Sequence, residues 1–185
     1  MMHQNCSLYL HPITPGFSLP DMTSFISGLV EIALISHPIK NKPDDENSFY
    51  VGKKYLEYIT YMGCSPAIQF EEDENSTKFC HIRIYQYDST KLIINQTQKS
   101  APHCPGCHQA VTSWQHSKTD TTIRCDHCDT TSSIEDFDWR KMAGTARLFI
   151  EVTDIFPKEA IPQPALLEKL ADLTDTKWTY FYSCG

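Results

Sequence analysis

Hydrophobic and polar residues follow a helical period in two regions of the N-terminal half. In the first region the apolar residues recur at helical spacing, at Phe25, Ile26, Leu29, Ile32 and Ala33. This stripe predicts a well-buried helix from Asp21 to about Ile35, with Asp21 as the N-cap. A second helical pattern predicts a helix from Lys53 to Met62 that Gly63 terminates.

The middle of the chain changes to the period of two that is typical of strands. The segments AIQF (Ala67 to Phe70) and KFCHIRIYQYD (Lys78 to Asp88) predict two strands, separated by the polar loop EEDENSTK. The segment KLIINQT, which starts at Lys91, predicts a third strand after a short turn around Asp88 and Ser89.

The C-terminal region predicts a strand, a helix and a final strand. ARLFIEVTDIF (Ala146 to Phe156) places alternate apolar residues on one face, Pro164 opens a leucine-rich helix, and KWTYFYS ends the chain. Helices beside an antiparallel or mixed sheet predict an α+β domain, and the last unit favours a ferredoxin-like, split βαβ arrangement. We expect residues 1–100 and 141–185 to form this core, with residues 101–140 (the cysteine module) inserted between its halves.

Composition narrows the class of protein further. A chain of 185 residues with 41% hydrophobic residues suits one domain carrying a small module. The N-terminal sequence has no basic and apolar export pattern, and the longest apolar stretch, Phe25 to Ser36, contains Glu31 and is too short to span a bilayer. We therefore expect a cytoplasmic protein without a membrane segment, whose cysteines stay reduced rather than forming disulfides.

The cysteine module contains two Cys-x-x-Cys pairs, Cys104 with Cys107 and Cys125 with Cys128, separated by 17 residues. Two such pairs supply the four thiolates of a tetrahedral Zn²⁺ site, and this spacing is typical of one. Between the pairs, AVTSW and TTIRC alternate like two short strands around the turn HSKTD. The pattern predicts a zinc ribbon holding one structural Zn²⁺.

Three other interpretations of these cysteines have less support from the sequence. A thioredoxin-like redox pair would need a strand before it and a helix after it, and two disulfides would need an oxidising compartment. Iron remains an alternative, because it accepts the same four thiolates. Neighbouring histidines are more simply read as solvated loop residues than as ligands (His103, His108, His116 and His127).

Two details of the module bear on its chemistry. Such turns often have Gly after the second cysteine, but here His108 and Asp129 stand there, so we expect slight backbone strain. Four thiolates leave no position for an activated water, so the metal is expected to be structural and no catalytic residue is assigned.

Charge argues against nucleic acid as the partner. The chain has 16 basic and 23 acidic residues, a net charge of −7, and the module has three basic residues (Lys118, Arg124, Arg140) against six acidic ones. Phosphate would be repelled by this surface. Protein binding is the better hypothesis, with EEDENSTK and the tip around His116 to Asp120 as candidate contacts.

A polar sheet face offers an alternative function. His81 and Arg83 share a strand face with Tyr85, and Arg147 shares one with Glu151. If these faces adjoin, together with Trp178 and Tyr180, then His81, Arg83 and Arg147 form a possible ligand patch for a small-molecule binder or an enzyme. A solvated face with cross-strand packing is the simpler interpretation. No phosphate-binding glycine motif and no nucleophile elbow is present.

The segments GCSPAIQF, CPGC, CDHC, DWRK, FIEVTDIFPKEAIP and WTYFY resemble those of a set of small, uncharacterised proteobacterial zinc-ribbon proteins. The resemblance covers about Gly63 to Tyr182 and implies a bacterial cytoplasmic zinc protein, but it brings no activity with it. Some of these proteins are labelled as sugar-transporter ATPases, which this sequence cannot support without a Walker motif. Sequence thus favours a non-enzymatic protein-binding module.

Overall fold

The computed structural model describes residues 6–40, 47–63, 68–74, 76–95, 101–117, 122–156 and 159–185; at residues 115–117 it describes the backbone alone. In chain order the elements are β1 (Cys6–Pro12), α1 (Met22–Glu31), β2 (Ile35–Pro38), β3 (Ser48–Val51), α2 (Tyr55–Tyr58), β4 (Ile59–Tyr61), β5 (Ile82–Ile94), β6 (Thr122–Arg124), β7 (Thr131–Ser133), β8 (Ala143–Ile155), β9 (Ala160–Pro162), α3 (Pro164–Thr174) and β10 (Trp178–Cys184). Short 3₁₀ helices cover Thr112–Ser117 and Ile134–Asp136.

Six strands form the main sheet in the order β10-β1-β8-β5-β3-β2, and every neighbouring pair is antiparallel. Because β1 lies between β8 and β10 and is antiparallel to both, these two strands run parallel to each other. The helix α3 connects them. A sheet-rich structure with three helices in its described part fits the predicted α+β class.

One face of the sheet forms the main core with the helices. Alternate residues of the central strands are almost fully buried there, including Leu8, Leu10, Ile82, Ile84, Leu148, Ile150 and Val152. Each such side chain contributes about 1.5–3 kcal/mol to stability. The Asp21 side chain caps α1 as predicted, since it accepts bonds from the backbone N–H groups of Thr23 and Ser24. A Cβ at Gly28 would lie 2.6 Å from Leu173 Cδ2, so glycine lets α1 pack closely on α3.

The predicted helix from Lys53 to Met62 is wrong beyond its first turn. Only Tyr55–Tyr58 is helical, and the chain then forms β4, which pairs with β9. Ile59 at the start of β4 is fully buried. Pairing with a distant strand therefore overrides the local helical pattern.

The predicted turn around Asp88 and Ser89 is also wrong, because β5 continues through it as one strand of 13 residues. Its pairing with β8 shifts in register between Gln86 and Lys91, which accommodates the polar residues as an irregularity. The two long strands carry the chain to the cysteine module and back. Ile68 to Phe70 is not a strand, and Ala67 lies outside the described residues.

Cys6 and Cys184 are directly opposite in the register of β1 and β10, and a disulfide joins them. This corrects the expectation that the cysteines would not form disulfides. Topology brings the first and last described strands together, which the linear spacing of 178 residues conceals. Cys80, in contrast, is a buried core thiol as expected, and burial raises its pKa to about 12. Cys64 lies outside the described residues.

None of the helices in the described ranges combines the length and the apolar character needed to cross a membrane.

Candidate metal centre

The four cysteines of the module converge, with all four Sγ atoms within 4.8 Å of one another. The Sγ atoms of Cys104 and Cys128 are 3.7 Å apart, and those of Cys107 and Cys125 are 3.6 Å apart. A tetrahedron with metal–sulfur bonds of about 2.3 Å has edges of about 3.8 Å, whereas a disulfide bond is about 2.05 Å long. The four sulfurs are therefore close enough that they could hold one metal ion, and they are not joined to each other.

The two Cys-x-x-Cys turns have the same pattern of backbone hydrogen bonds. The amide two residues after the first cysteine donates to its sulfur (Gly106 N to Cys104 Sγ, 3.3 Å; His127 N to Cys125 Sγ, 3.4 Å). The amide four residues on donates to the cysteine carbonyl (His108 N to Cys104 O, 2.9 Å; Asp129 N to Cys125 O, 3.1 Å). Two equivalent turns thus present two sulfurs each to a shared centre.

The residue after each second cysteine has the left-handed backbone conformation. His108 has φ of 60° and Asp129 has φ of 58°. This confirms the strain expected where glycine is absent, and it costs roughly 1–2 kcal/mol per residue. Both turns retain this strained geometry, which directs their sulfurs inward.

Burial divides the four ligands into an inner and an outer set. Cys104 and Cys125 are buried, Cys107 is intermediate, and Cys128 is exposed. Hydrogen bonds from the side chain and the backbone of Thr130 lower the pKa of Cys128 to about 6. The pKa of Cys107 shifts the other way: the Gln109 backbone hydrogen bond lowers it, but desolvation and the neighbouring cysteine thiols outweigh that bond and raise it to about 12. Metal binding to the four cysteines therefore releases protons.

A small aromatic cluster supports the centre. Trp114 and Trp139 pack edge to face with ring centroids 5.3 Å apart, and Trp139 Nε1 donates to the Ile134 carbonyl. Val111 and Ile123 are almost fully buried beside them. These few side chains form a core of their own, which Leu92, Ile94 and Ala143 join from the ends of β5 and β8.

The predicted strand AVTSW is wrong, because Thr112–Ser117 is a 3₁₀ helix that places Trp114 in this cluster. The hairpin of the module instead spans the second cysteine pair, where β6 pairs with β7. Burial of the large Trp114 side chain stabilises the 3₁₀ helix and outweighs the local alternating pattern, which favours a strand. The predicted turn HSKTD falls partly on residues 118–120, outside the described residues.

The nearby histidines do not join the described cysteine cluster. Nδ1 of His103 lies 3.0 Å from the His108 carbonyl oxygen and 3.3 Å from Arg140 Nη2. His127 is exposed, and the side chain of His116 lies outside the described part of the chain.

Both basic residues in the described part of the module have carboxylate partners. Arg124 bonds to Asp129 at 2.9 Å and Arg140 to Asp138 at 3.3 Å. These pairs are exposed and add little stability. They nevertheless neutralise the cations that a phosphate backbone would need.

The second predicted site is only partly assembled. His81, Arg83 and Glu151 line a cavity of about 240 Å³. Arg83 is opposite Glu151 in the strand register, and its Nε donates to His81 Nε2 at 3.1 Å. Ser7 and Tyr85 donate to the two Glu151 oxygens at 2.7 and 2.8 Å.

Arg147 is not part of this cavity. Its Nε donates to the Tyr87 carbonyl, and it stands four residues from Glu151 along β8, about 13 Å away at the usual rise of a strand. Trp178 and Tyr180 pack with the main core on the opposite face of the sheet. The predicted patch therefore reduces to His81 and Arg83, with Glu151, Ser7 and Tyr85 as added partners.

Comparisons of the chain with protein-family models, with curated proteins and with solved structures give no match. The cysteine geometry is thus the observation that bears on function: this chain holds four cysteines close enough together that they could bind one metal ion.

Proposed function

We propose that the protein binds one Zn²⁺ through Cys104, Cys107, Cys125 and Cys128, and that the resulting zinc ribbon presents a protein-binding surface. The observation that carries the proposal is the convergence of four sulfurs within 4.8 Å of one another, with two of the sulfur–sulfur distances, 3.7 and 3.6 Å, close to the edge of a zinc tetrathiolate. Zinc is favoured over iron because two Cys-x-x-Cys turns in this order are typical of structural zinc sites.

The proposed role of the metal is structural. Four cysteines complete a tetrahedron, which leaves no position for a substrate or an activated water. The module core is small, and its first cysteine turn is tied to the rest by isolated bridges from His103 to Ala110 and to Asp138. Structural zinc contributes about 10–16 kcal/mol of apparent binding free energy at neutral pH. That energy is sufficient to hold a segment that cannot offset its own ordering entropy.

We infer a ferredoxin-like core with the ribbon inserted in it. The support is the strand order β10-β1-β8-β5, in which α1 lies between β1 and β5 along the chain and α3 between β8 and β10. This is the order expected of two interlocked split βαβ units. The cysteine module lies in the connection between β5 and β8.

Charge and exposure support a protein partner. Residues Glu71 to Glu74 are all exposed, so the acidic loop is available for contact. The described arginines of the module are already paired with carboxylates, which disfavours a nucleic-acid partner. A basic protein surface is the complement of such a loop.

Elemental analysis of the purified protein tests the metal assignment. We expect about one zinc per chain, and a colourless solution, because tetrathiolate iron absorbs visible light whereas d¹⁰ zinc does not. The variant Cys125→Ser should lose the metal and change the fluorescence of Trp114 and Trp139, with amide signals of β1 and β8 preserved. Cys80→Ala, which removes a thiol outside the cluster, is the control. Full metal content in Cys125→Ser would refute the ligand assignment.

Affinity capture from the native host tests the partner. The wild type is compared with the double variant Glu71→Gln, Glu72→Gln, which removes two exposed charges without altering the core. We expect a captured protein with a basic surface to be lost in the variant. Recovery of nucleic acid instead, or of the same partner at equal yield, would contradict this role of the acidic loop.

A second candidate function is small-ligand binding at the cavity of His81 and Arg83. The cavity of about 240 Å³ favours this function, because a flat sheet face would offer no concave site for a ligand. Chemical-shift changes of the His81 and Arg83 amides on addition of a small-molecule library would support this candidate. An unchanged spectrum would remove it.

A further inference from the structure

A larger groove of about 610 Å³ lies where the cysteine module meets the sheet. One wall comes from the end of the module and the residue that follows it, including Phe137 and Lys141. The other comes from β1, β8 and β10, including His11, Gly144 and Tyr180. Its volume is within the range of small-molecule sites, which favour such junctions between structural units. The four cysteines are absent from its lining, as are His81, Arg83 and Arg147.

His11 presents a hydrogen-bond acceptor in this groove. The residue is only 7% exposed, and its ring packs against Phe149 and Phe181. Nδ1 lies 2.9 Å from the Pro12 carbonyl, which can only accept, so Nδ1 carries the proton. Burial, aided by the positive charge of Lys141, lowers the pKa of His11 to about 4. At neutral pH Nε2 is therefore an unprotonated acceptor, and it has no hydrogen-bond partner among the described residues.

Gly144 lets the His11 ring occupy this position. A Cβ at residue 144 would lie 2.6 Å from His11 Nε2 and would also collide with the Phe181 ring. No other residue leaves this space, so the close approach of β8 to His11 depends on glycine.

Lys141 supplies a cation to the same groove. Its Nζ donates to Thr179 Oγ1 at 2.9 Å and lies 4.2 Å from the centre of the Tyr180 ring. The side chain forms no ion pair with a described carboxylate. An ammonium group has three protons, so one remains for a ligand. The backbone of Lys141 is left-handed, with φ of 61°, and its carbonyl accepts from Tyr182 N, which fixes the residue at the groove.

The remaining lining limits the charge of a ligand. Glu135 and Asp138 contribute two negative charges that offset Arg140 and Lys141, so a polyphosphate would gain no net attraction. Ile13, which is 52% exposed, and Phe137 add apolar surface. A flat apolar body with one negative group for Lys141 and one polar proton for His11 Nε2 matches these two groups and the apolar part of the lining.

We propose that this groove binds a small aromatic carboxylic acid that also carries a hydroxyl or amino group. The carboxylate bonds to Lys141 Nζ, the hydroxyl or amino proton is donated to His11 Nε2, and the ring packs on Tyr180 and Phe137. This site is separate from the four cysteines and from the cavity of His81, and it does not depend on which metal the cysteines hold.

The test is a titration of the full-length, metal-loaded protein, followed by amide chemical shifts. The probes are the hydroxybenzoates, the aminobenzoates and indole-3-carboxylate, with benzoate, phenol and inorganic phosphate as comparisons. We expect at least one hydroxy or amino acid to shift the amides of Lys141, Gly144 and Tyr180. Benzoate, which lacks the polar proton, should bind more weakly, and phenol and phosphate should leave these amides unchanged.

Variants separate this site from a surface effect. Lys141→Met should weaken binding about tenfold or more, since a hydrogen bond to a charged group is lost. Lys169→Met removes an exposed lysine on α3 and should leave binding unchanged. The proposal is overturned if no acid shifts the groove amides at millimolar concentration, if benzoate binds as well as its hydroxy forms, or if Lys141→Met binds undiminished. The comparison of probes on the wild type decides the question even if the variant does not fold.

Discussion

The disulfide between Cys6 and Cys184 allows a stability prediction whose magnitude follows from the chain connectivity. It spans a sequence separation of 178 residues. In the chain-entropy treatment, a loop of this length restricts the unfolded chain by about 5 kcal/mol at 25 °C. That figure is a large fraction of the 5–15 kcal/mol by which a domain is usually stable. We therefore expect the double variant Cys6→Ala, Cys184→Ala to lose up to about 5 kcal/mol of unfolding free energy.

The fold itself should survive this change, because β1 and β10 remain paired from Ser7 to Pro12 without the bond. Alanine is preferred over serine, since both cysteines are buried and a hydroxyl there would lack a partner. Urea unfolding without reductant, followed by the fluorescence of the buried Trp178, measures the loss. The slope of free energy against urea should also rise, since an uncrosslinked unfolded chain exposes more surface.

The single variant Cys6→Ala serves as the matched control, because it also abolishes the bond and should unfold with the double variant. The reasoning is refuted if the oxidised wild type and the double variant share one urea midpoint. It is equally refuted if mass spectrometry of the native protein finds both cysteines with free thiols.

Three further predictions concern the module and the groove. The variants His108→Gly and Asp129→Gly should each raise the thermal midpoint of the metal-loaded protein. Glycine relieves roughly 1–2 kcal/mol of backbone strain in the folded state, whereas its greater freedom stabilises the unfolded chain by only about 0.4–1 kcal/mol. Trp114→Ala should cost about 3–5 kcal/mol and accelerate metal loss to a chelator, because Trp139 loses its packing partner. For His11, the folded pKa of about 4 lies below the ordinary value of 6.5, so its contribution is complete above pH 6.5 and is lost as pH falls toward 4. We expect wild-type stability to drop by about 3 kcal/mol more than that of His11→Asn across this window, measured by urea unfolding at each pH.

Each of these has a contrasting outcome. Asp126→Gly, in the same turn but without positive φ, should lower the midpoint, and a rise there would show that strain relief is not the cause. Unchanged chelator kinetics in Trp114→Ala would separate the aromatic cluster from the metal centre. Equal pH profiles for the wild type and His11→Asn would show that the buried imidazole does not resist protonation.

The features that the sequence alone determined are those set by short-range chemistry. The four cysteine positions follow from the ligand number of a tetrahedral metal and the reach of a two-residue turn, so spacing is sufficient to find them. The left-handed residues His108 and Asp129 follow from the same turn geometry. The helix α1 is encoded by Asp21 and its apolar stripe, and α3 by Pro164 at its start.

Tertiary structure decided every feature that depends on a distant partner. Tyr55–Tyr58 stops as a helix because Ile59 pairs with Pro162, and β5 runs through Asp88 because β8 continues beside it. A helical or alternating pattern reflects only residues a few positions apart, whereas strand pairing is stabilised by contacts between residues that are far apart in the chain.

The same reason explains the sites that sequence reasoning missed or misplaced. Cys6 meets Cys184 only because β1 lies beside β10, and His11 meets Gly144 and Lys141 only because three strands and the module converge. Arg147 lies four residues from Glu151 along β8, and this distance keeps it from His81. Periodicity determines which face a side chain occupies, and the register of the folded sheet determines which side chains meet there.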